Sequence, residues 1–167
     1  MSFKLELPPS EPAKEDLVVL VPGRAGKDYE NNLKISKKLN MAGYRTLRFS
    51  FNKKSFQEKV EELEDKLEQV SELCKIQGIS LIGFSIGGSI ALRNALEYGD
   101  KINSLILLSS PIKKKWFGGK ISRKQVPSNI ALINGTEDHI ISREESKQLF
   151  KQVKAFEKFE KDIEGGN

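Results

Sequence analysis

The run Leu17–Val21 is apolar at every position and ends in Pro22-Gly23. A strand without a polar residue has no side to offer to water, so it needs cover on both faces. Short, largely apolar runs recur at Ile79–Ile82, Ile102–Leu108 and Ile130–Ile133, and Tyr44–Phe51 and Phe156–Ile163 also read as strands. Segments of helical period lie between them. Leu33, Ile35 and Leu39 mark a helix from Asp28 to about Met41, with Gly43 as its C-cap. Phe56, Val60, Leu63, Leu67, Val70 and Cys74 step by fours and threes along a helix from about Ser55 to Gln77. A third helix is predicted over Ile86–Tyr98, closed by Gly99. A fourth opens at a Ser142/Glu145 capping box and runs through Leu149, Phe150 and Val153. Strands alternating with helices predict an α/β fold: βαβ units forming a mostly parallel sheet with helices on both faces.

At 167 residues the chain is expected to form a single domain over residues 1–167. Charged residues make up 31% and apolar ones 38%, the balance of a folded rather than a disordered chain. No apolar run approaches the length that crosses a bilayer, and the start does not read as a signal peptide, so a cytoplasmic protein without membrane partners is expected. Cys74 is the only cysteine, which excludes an intramolecular disulfide; no metal site and no cofactor are expected. The net charge of +5 is read as a solvated lysine surface rather than a nucleic-acid footprint.

In parallel sheets the chemistry gathers at the carboxyl ends of the strands. Gly83-Phe84-Ser85-Ile86-Gly87 stands there, between a predicted strand and a predicted helix. This is the G-x-S-x-G pattern in which a sharp turn exposes a serine and the following helix aims free N–H groups at it. Asn134-Gly135-Thr136-Glu137-Asp138-His139 follows a later strand. Asp138 there fits the chain order Ser, Asp, His, with Glu137 as an alternative acid or the carboxylate as a simple turn cap. Pro22-Gly23-Arg24-Ala25-Gly26 could supply oxyanion donors beside the Ile86 N–H. A phosphate-binding P-loop ending at Gly26-Lys27 fails, because its first Gly would fall on Val21 and its Ser/Thr on Asp28.

These three loops resemble those of the α/β-hydrolase superfamily, in particular its small dienelactone-hydrolase-like members and the testis-expressed-thirty-like hydrolases, over about Leu17 to Asn167. The resemblance implies a cap-less α/β-hydrolase fold and a serine hydrolase acting on a small ester, thioester or related acyl substrate through a covalent acyl-enzyme. It implies Ser85 as nucleophile, Asp138 as acid and the N–H groups of Arg24 and Ile86 as oxyanion hole. Pro22 stands where relatives carry a His, which a backbone-built hole tolerates. The family's catalytic His would come just after Ile163–Asn167, and the final helix after that, so a chain shortened at its C-terminus is expected. His139, the only histidine, adjoins Asp138; it is read as a loop histidine and kept as the weaker candidate for the base. Two further expectations follow: a bare apolar sheet face that favours self-association or a covering partner, and an alternative role as a catalytically weak or inactive interaction module. The Pro111–Pro127 segment gathers Lys113, Lys114, Lys115, Lys120, Arg123 and Lys124 about Trp116 and Phe117. It is read as a solvated loop whose aromatics pack down, in preference to a flap for acidic substrates or a nucleic-acid contact.

Overall fold

The computed structural model describes residues 3–8, 16–23, 27–73, 76–98, 101–117, 126 and 129–166. Seven strands, β1 (Phe3–Glu6), β2 (Leu17–Val21), β3 (Arg45–Phe49), β4 (Ile79–Phe84), β5 (Ile102–Leu108), β6 (Asn129–Gly135) and β7 (Lys158–Ile163), form one sheet. Their order is β1-β3-β2-β4-β5-β6-β7. Only β1 runs antiparallel to its neighbour. Four helices connect them: α1 (Lys27–Met41), α2 (Phe56–Leu73), α3 (Ile86–Tyr98) and α4 (Arg143–Gln152). The predicted alternation is therefore observed, and the boundaries move by a few residues: α2 ends at Leu73, not Gln77, and β4 extends to Phe84. Cys74, expected in the apolar stripe of the second helix, and Gly99, expected to close the third, lie outside the described residues. No described helix is long and apolar enough to cross a membrane.

Alternation along the strands divides the apolar residues between two faces. Leu17, Val19 and Val21 join Leu63, Val70, Ile90, Leu92, Phe150 and others in the larger core, under α2, α3 and α4. Val18, Leu20 and Ile82 meet Ile35 and Leu39 of α1 in a smaller core on the opposite face. Helix α1 stops where its apolar stripe stops: Gly43 takes φ +88 and the Tyr44 N–H bonds back to the Leu39 carbonyl at 3.0 Å. Ser142 caps α4, its Oγ accepting from the Glu145 N–H at 3.3 Å, as the capping box predicts.

Beyond α1 no described residue covers the smaller face. Register pairing places Ile106 with Ala131 and Phe159, and Leu108 with Ile133, on that side. Phe159 is 55% exposed and Ile163 49%. The other side of β7 is engaged: Glu160 and Asp162 both receive Lys147 of α4, at 3.0 and 2.7 Å. The exposed edge of β7 thus carries apolar residues on its open side and ion pairs on its covered side.

Two polar clusters inside the fold were not visible in the apolar periodicity. Glu62 and Lys66 lie on the buried side of α2, where Lys66 is fully covered. Lys66 Nζ reaches Glu62 Oε1 at 3.0 Å and sits 5.3 Å from the centre of the Phe49 ring. Glu62 also accepts the N–H groups of Asn52 and Lys53, pinning the loop that leaves β3. Burial raises the pKa of the Glu62 carboxyl, but these donors outweigh it and leave the pKa below the usual carboxylate value. At the other edge Glu6 of β1 accepts from Arg48 at 2.6 Å and from Ser36 of α1, while Asn40 Nδ2 donates to the Tyr44 carbonyl at 2.8 Å. The antiparallel strand is thereby tied to α1 and β3 by side chains as well as by its ladder.

Breaking the buried pair strands a charge. Lys66→Met should lower stability by about 3 kcal/mol, and adding Glu62→Gln should restore most of that loss in urea unfolding. The Arg48 hydrogen bond, foremost, holds the Glu6 pKa at about 2 against an ordinary 4.5. A carboxyl lowered in the folded state stabilises above the unfolded value and loses that contribution as pH falls through the folded one. Melting temperature should therefore fall between pH 4.5 and 2, and less steeply in Glu6→Gln, when unfolding is followed by circular dichroism across that window.

Candidate active site

The turn between β4 and α3 is built by close approach. A Cβ on Gly83 would lie 2.3 Å from the Gly88 Cα, and one on Gly87 would lie 2.5 Å from the carbonyl oxygens of Val21 and Pro22. Neither position has room for a side chain, so the elbow packs directly on the end of β2. Between the glycines Ser85 takes φ 49, a left-handed conformation that costs a non-glycine residue roughly 1 kcal/mol or more. Its N–H donates to the Leu108 carbonyl at 2.9 Å, and its carbonyl accepts from the Gly88 N–H at 3.0 Å. Ile86 is the first residue of α3, whose opening N–H groups lack intrahelical acceptors and carry the positive end of the helix dipole.

Ser85 opens onto a cavity of about 580 Å³ at the carboxyl ends of β4, β5 and β6. Its walls include Phe84, Leu108, Ile140 and Ile141, and its polar groups include Ser85, Ser109, Asp138 and His139. The structure therefore brings three of the site residues read from the sequence to one cavity. His139, read there as a loop histidine, is among them. His139 is an exposed residue of that loop, and the loop runs along the cavity wall. Glu137 lines the same cavity.

Asp138 is half-buried, and its Oδ1 accepts the N–H groups of Ile140 and Ile141, both at 3.0 Å. The carboxylate thus organises its own loop, as the turn-cap alternative expects, while Oδ2 accepts no hydrogen bond among the described residues. The neighbouring turn is fastened to the end of β7: Thr136 N–H bonds the Ile163 carbonyl at 3.0 Å and Glu137 N–H the Gly166 carbonyl at 2.9 Å. Arg24, the other expected oxyanion donor, lies outside the described residues, although Val21 and Pro22 place the start of its loop against Gly87.

The basic segment after β5 packs as the solvated-loop reading predicts over its described part. Trp116 stacks on Phe56 with ring centres 4.8 Å apart, and Phe117 is fully buried. Lys113, Lys114 and Lys115 are exposed on a single 3₁₀ turn, and Lys120, Arg123 and Lys124 lie outside the described residues. No helical insertion covers the site among the described residues. No group of three or more metal-ligating side chains occurs among them either.

Ser109, which the motifs did not single out, is a second strained serine on the cavity floor, with φ 42. A left-handed conformation at a serine leaves no mark in the sequence when no glycine accompanies it.

Solved structures with this fold include Est1E from Butyrivibrio proteoclasticus, with a TM-score of 0.79 at 19% identity, covering 98% of this chain and 84% of that one. An α/β serine hydrolase homologue from Coxiella burnetii matches with a TM-score of 0.81 at 21% identity, over 98% and 81% of the two chains. XC6422 from Xanthomonas campestris, an α/β serine hydrolase without a lid, gives 0.81 at 17% identity, over 98% and 78%. No curated protein matches the chain by sequence. The family model for the phospholipases and carboxylesterases matches residues 29–165, most of the chain. With its fold in common with these structures, the chain belongs to the phospholipase/carboxylesterase family of α/β-hydrolases.

Proposed function

We propose that the protein is a serine hydrolase that cleaves a small ester or thioester, with Ser85 as its nucleophile. The observation that carries this is the strained Ser85 at the strand-to-helix turn, facing a cavity shared with Asp138 and His139. Strain at a serine persists where the surroundings impose it, and here it lifts the hydroxyl off the sheet towards the cavity.

The chemistry assigns each group a role. Ser85 Oγ attacks the acyl carbon as its proton passes to a base, giving a tetrahedral intermediate whose oxyanion is assigned to the Ile86 N–H, with Arg24 as the proposed second donor. The bond to the leaving oxygen or sulfur then breaks, and the base returns its proton to the departing alcohol or thiol. Water attacks the acyl-enzyme by the reverse proton route and releases the acid. His139, whose exposed side chain lines the cavity, takes the role of base, and Asp138, through the oxygen its loop does not use, that of the acid that orients it. The open cavity and its apolar walls suit a small acyl chain.

The open sheet face favours a second reading, an interaction module on a hydrolase scaffold. Its apolar residues, Phe159 and Ile163 among them, suit the same face of a second copy. On that reading sedimentation should show a dimer that Phe159→Glu dissociates, with Ser85 unreactive in both forms.

A fluorophosphonate probe separates the two readings. Ser85 should be labelled and Ser85→Ala should not be. No labelling of the folded wild-type chain would end the hydrolase reading in favour of the module. His139→Gln should slow labelling by at least about 10²-fold, the low end of what a general base contributes. Labelling at the wild-type rate would move the base to another residue.

A further inference from the structure

Ser109 repeats the geometry of Ser85 one strand away. Each follows directly on the last residue of a parallel strand, Phe84 of β4 or Leu108 of β5, and each is left-handed. Phe84 and Leu108 are register partners, so the two serines are neighbours at about the 4.8 Å spacing of adjacent strands. The Ser109 N–H donates to the Ile133 carbonyl at 2.8 Å, as the Ser85 N–H does to Leu108.

The chain after Ser109 is clamped from three directions. Ser89 of α3 donates to the Pro111 carbonyl at 2.6 Å, Ser146 of α4 donates to the Ser110 carbonyl at 3.0 Å, and the buried Ser110 Oγ donates to the Leu108 carbonyl at 3.1 Å. These bonds over-determine the turn and hold Ser109 in its strained conformation. Its hydroxyl faces the cavity and has no hydrogen-bond partner among the described residues.

Position decides what that hydroxyl meets. The end of β2 abuts the elbow on one side of Ser85, where the oxyanion points; β5 lies on the other side, and the Glu137–His139 loop follows β6 beyond it. Ser109 therefore lies between Ser85 and the base, and a leaving group directed to that base passes over it. We infer that Ser109 is a specificity residue that hydrogen-bonds an oxygen on the leaving group near the scissile bond, so that esters of hydroxylated alcohols are preferred to esters of plain ones. The inference rests on the hydrolase reading and deepens it by naming the substrate class.

The test compares 2-hydroxyethyl butyrate with propyl butyrate on the full chain, following release of butyric acid by titration at constant pH. Wild-type kcat/KM should favour the hydroxy ester about five- to tenfold, the discrimination expected of one neutral hydrogen bond. Ser109→Gly removes the hydroxyl while keeping the backbone, because glycine takes a positive φ without strain. That variant should bring the ratio of the two kcat/KM values to about one, with a melting temperature at or above wild type and Ser85 still labelled by fluorophosphonate. A wild-type chain that hydrolyses both esters equally, or a variant that keeps the preference, overturns the role of Ser109 and leaves the hydrolase reading standing. A wild-type chain that hydrolyses neither ester and takes no label overturns both.

Discussion

The hydrogen bond from the Ser85 N–H to the Leu108 carbonyl carries the sheet ladder one residue past the end of β4. The same step recurs from Ser109 to Ile133 and from Thr136 to Ile163. The site is therefore the last rung of a parallel sheet rather than a set of loops resting on it. Parallel rungs slant regularly from strand to strand, so the residue after each strand is fixed by its neighbour's carbonyl as firmly as a residue within the strand. Glycines at 83 and 87 let the turn close over that rung, and the helix that starts at Ile86 follows from it.

A sheet of this kind needs cover, and here the cover is uneven. Among the described residues three helices close the larger face, whereas α1 alone closes the smaller one and reaches only part of it. The covered side of β7 is held by Lys147 through Glu160 and Asp162 instead of by apolar packing. Partly exposed ion pairs of this sort are individually weak, so β7 owes its place mainly to its ladder with β6 and to the turn that ties Gly166 to Glu137. That ladder matters to the cavity, because it fastens the Asp138–His139 loop at its root.

The elements and the strand-to-helix turn at Ser85 were legible because each left a pattern: apolar runs for the central strands, steps of three and four for α2, and glycines two residues either side of Ser85. What was not legible left none. Glu62 and Lys66 have the identities of surface residues, and their burial follows from a pairing with each other and with the Asn52 and Lys53 N–H groups that no periodicity encodes. Ser109 is disguised in the same way, since its strain comes from bonds made by Ser89 and Ser146, distant in sequence. The position of His139 on the cavity wall depends on the turn that Asp138 makes with Ile140 and Ile141, a local signal that adjacency alone does not reveal.

Agreement between local preference and global fold runs through most of the chain, and its exceptions cluster. Among the described residues, only Ser85 and Ser109 take a positive φ without being glycine, and both lie on the floor of the same cavity. A fold selected for stability alone would place glycine at both, as it does at Gly43 and Gly165. Retaining a side chain at a strained position costs stability twice over within one strand spacing. Such costs persist where the side chain itself is used. At Ser85 the proposed use is nucleophilic attack. At Ser109, where the backbone bonds would be made equally well by glycine, only the hydroxyl distinguishes the residue from the one that would fit better.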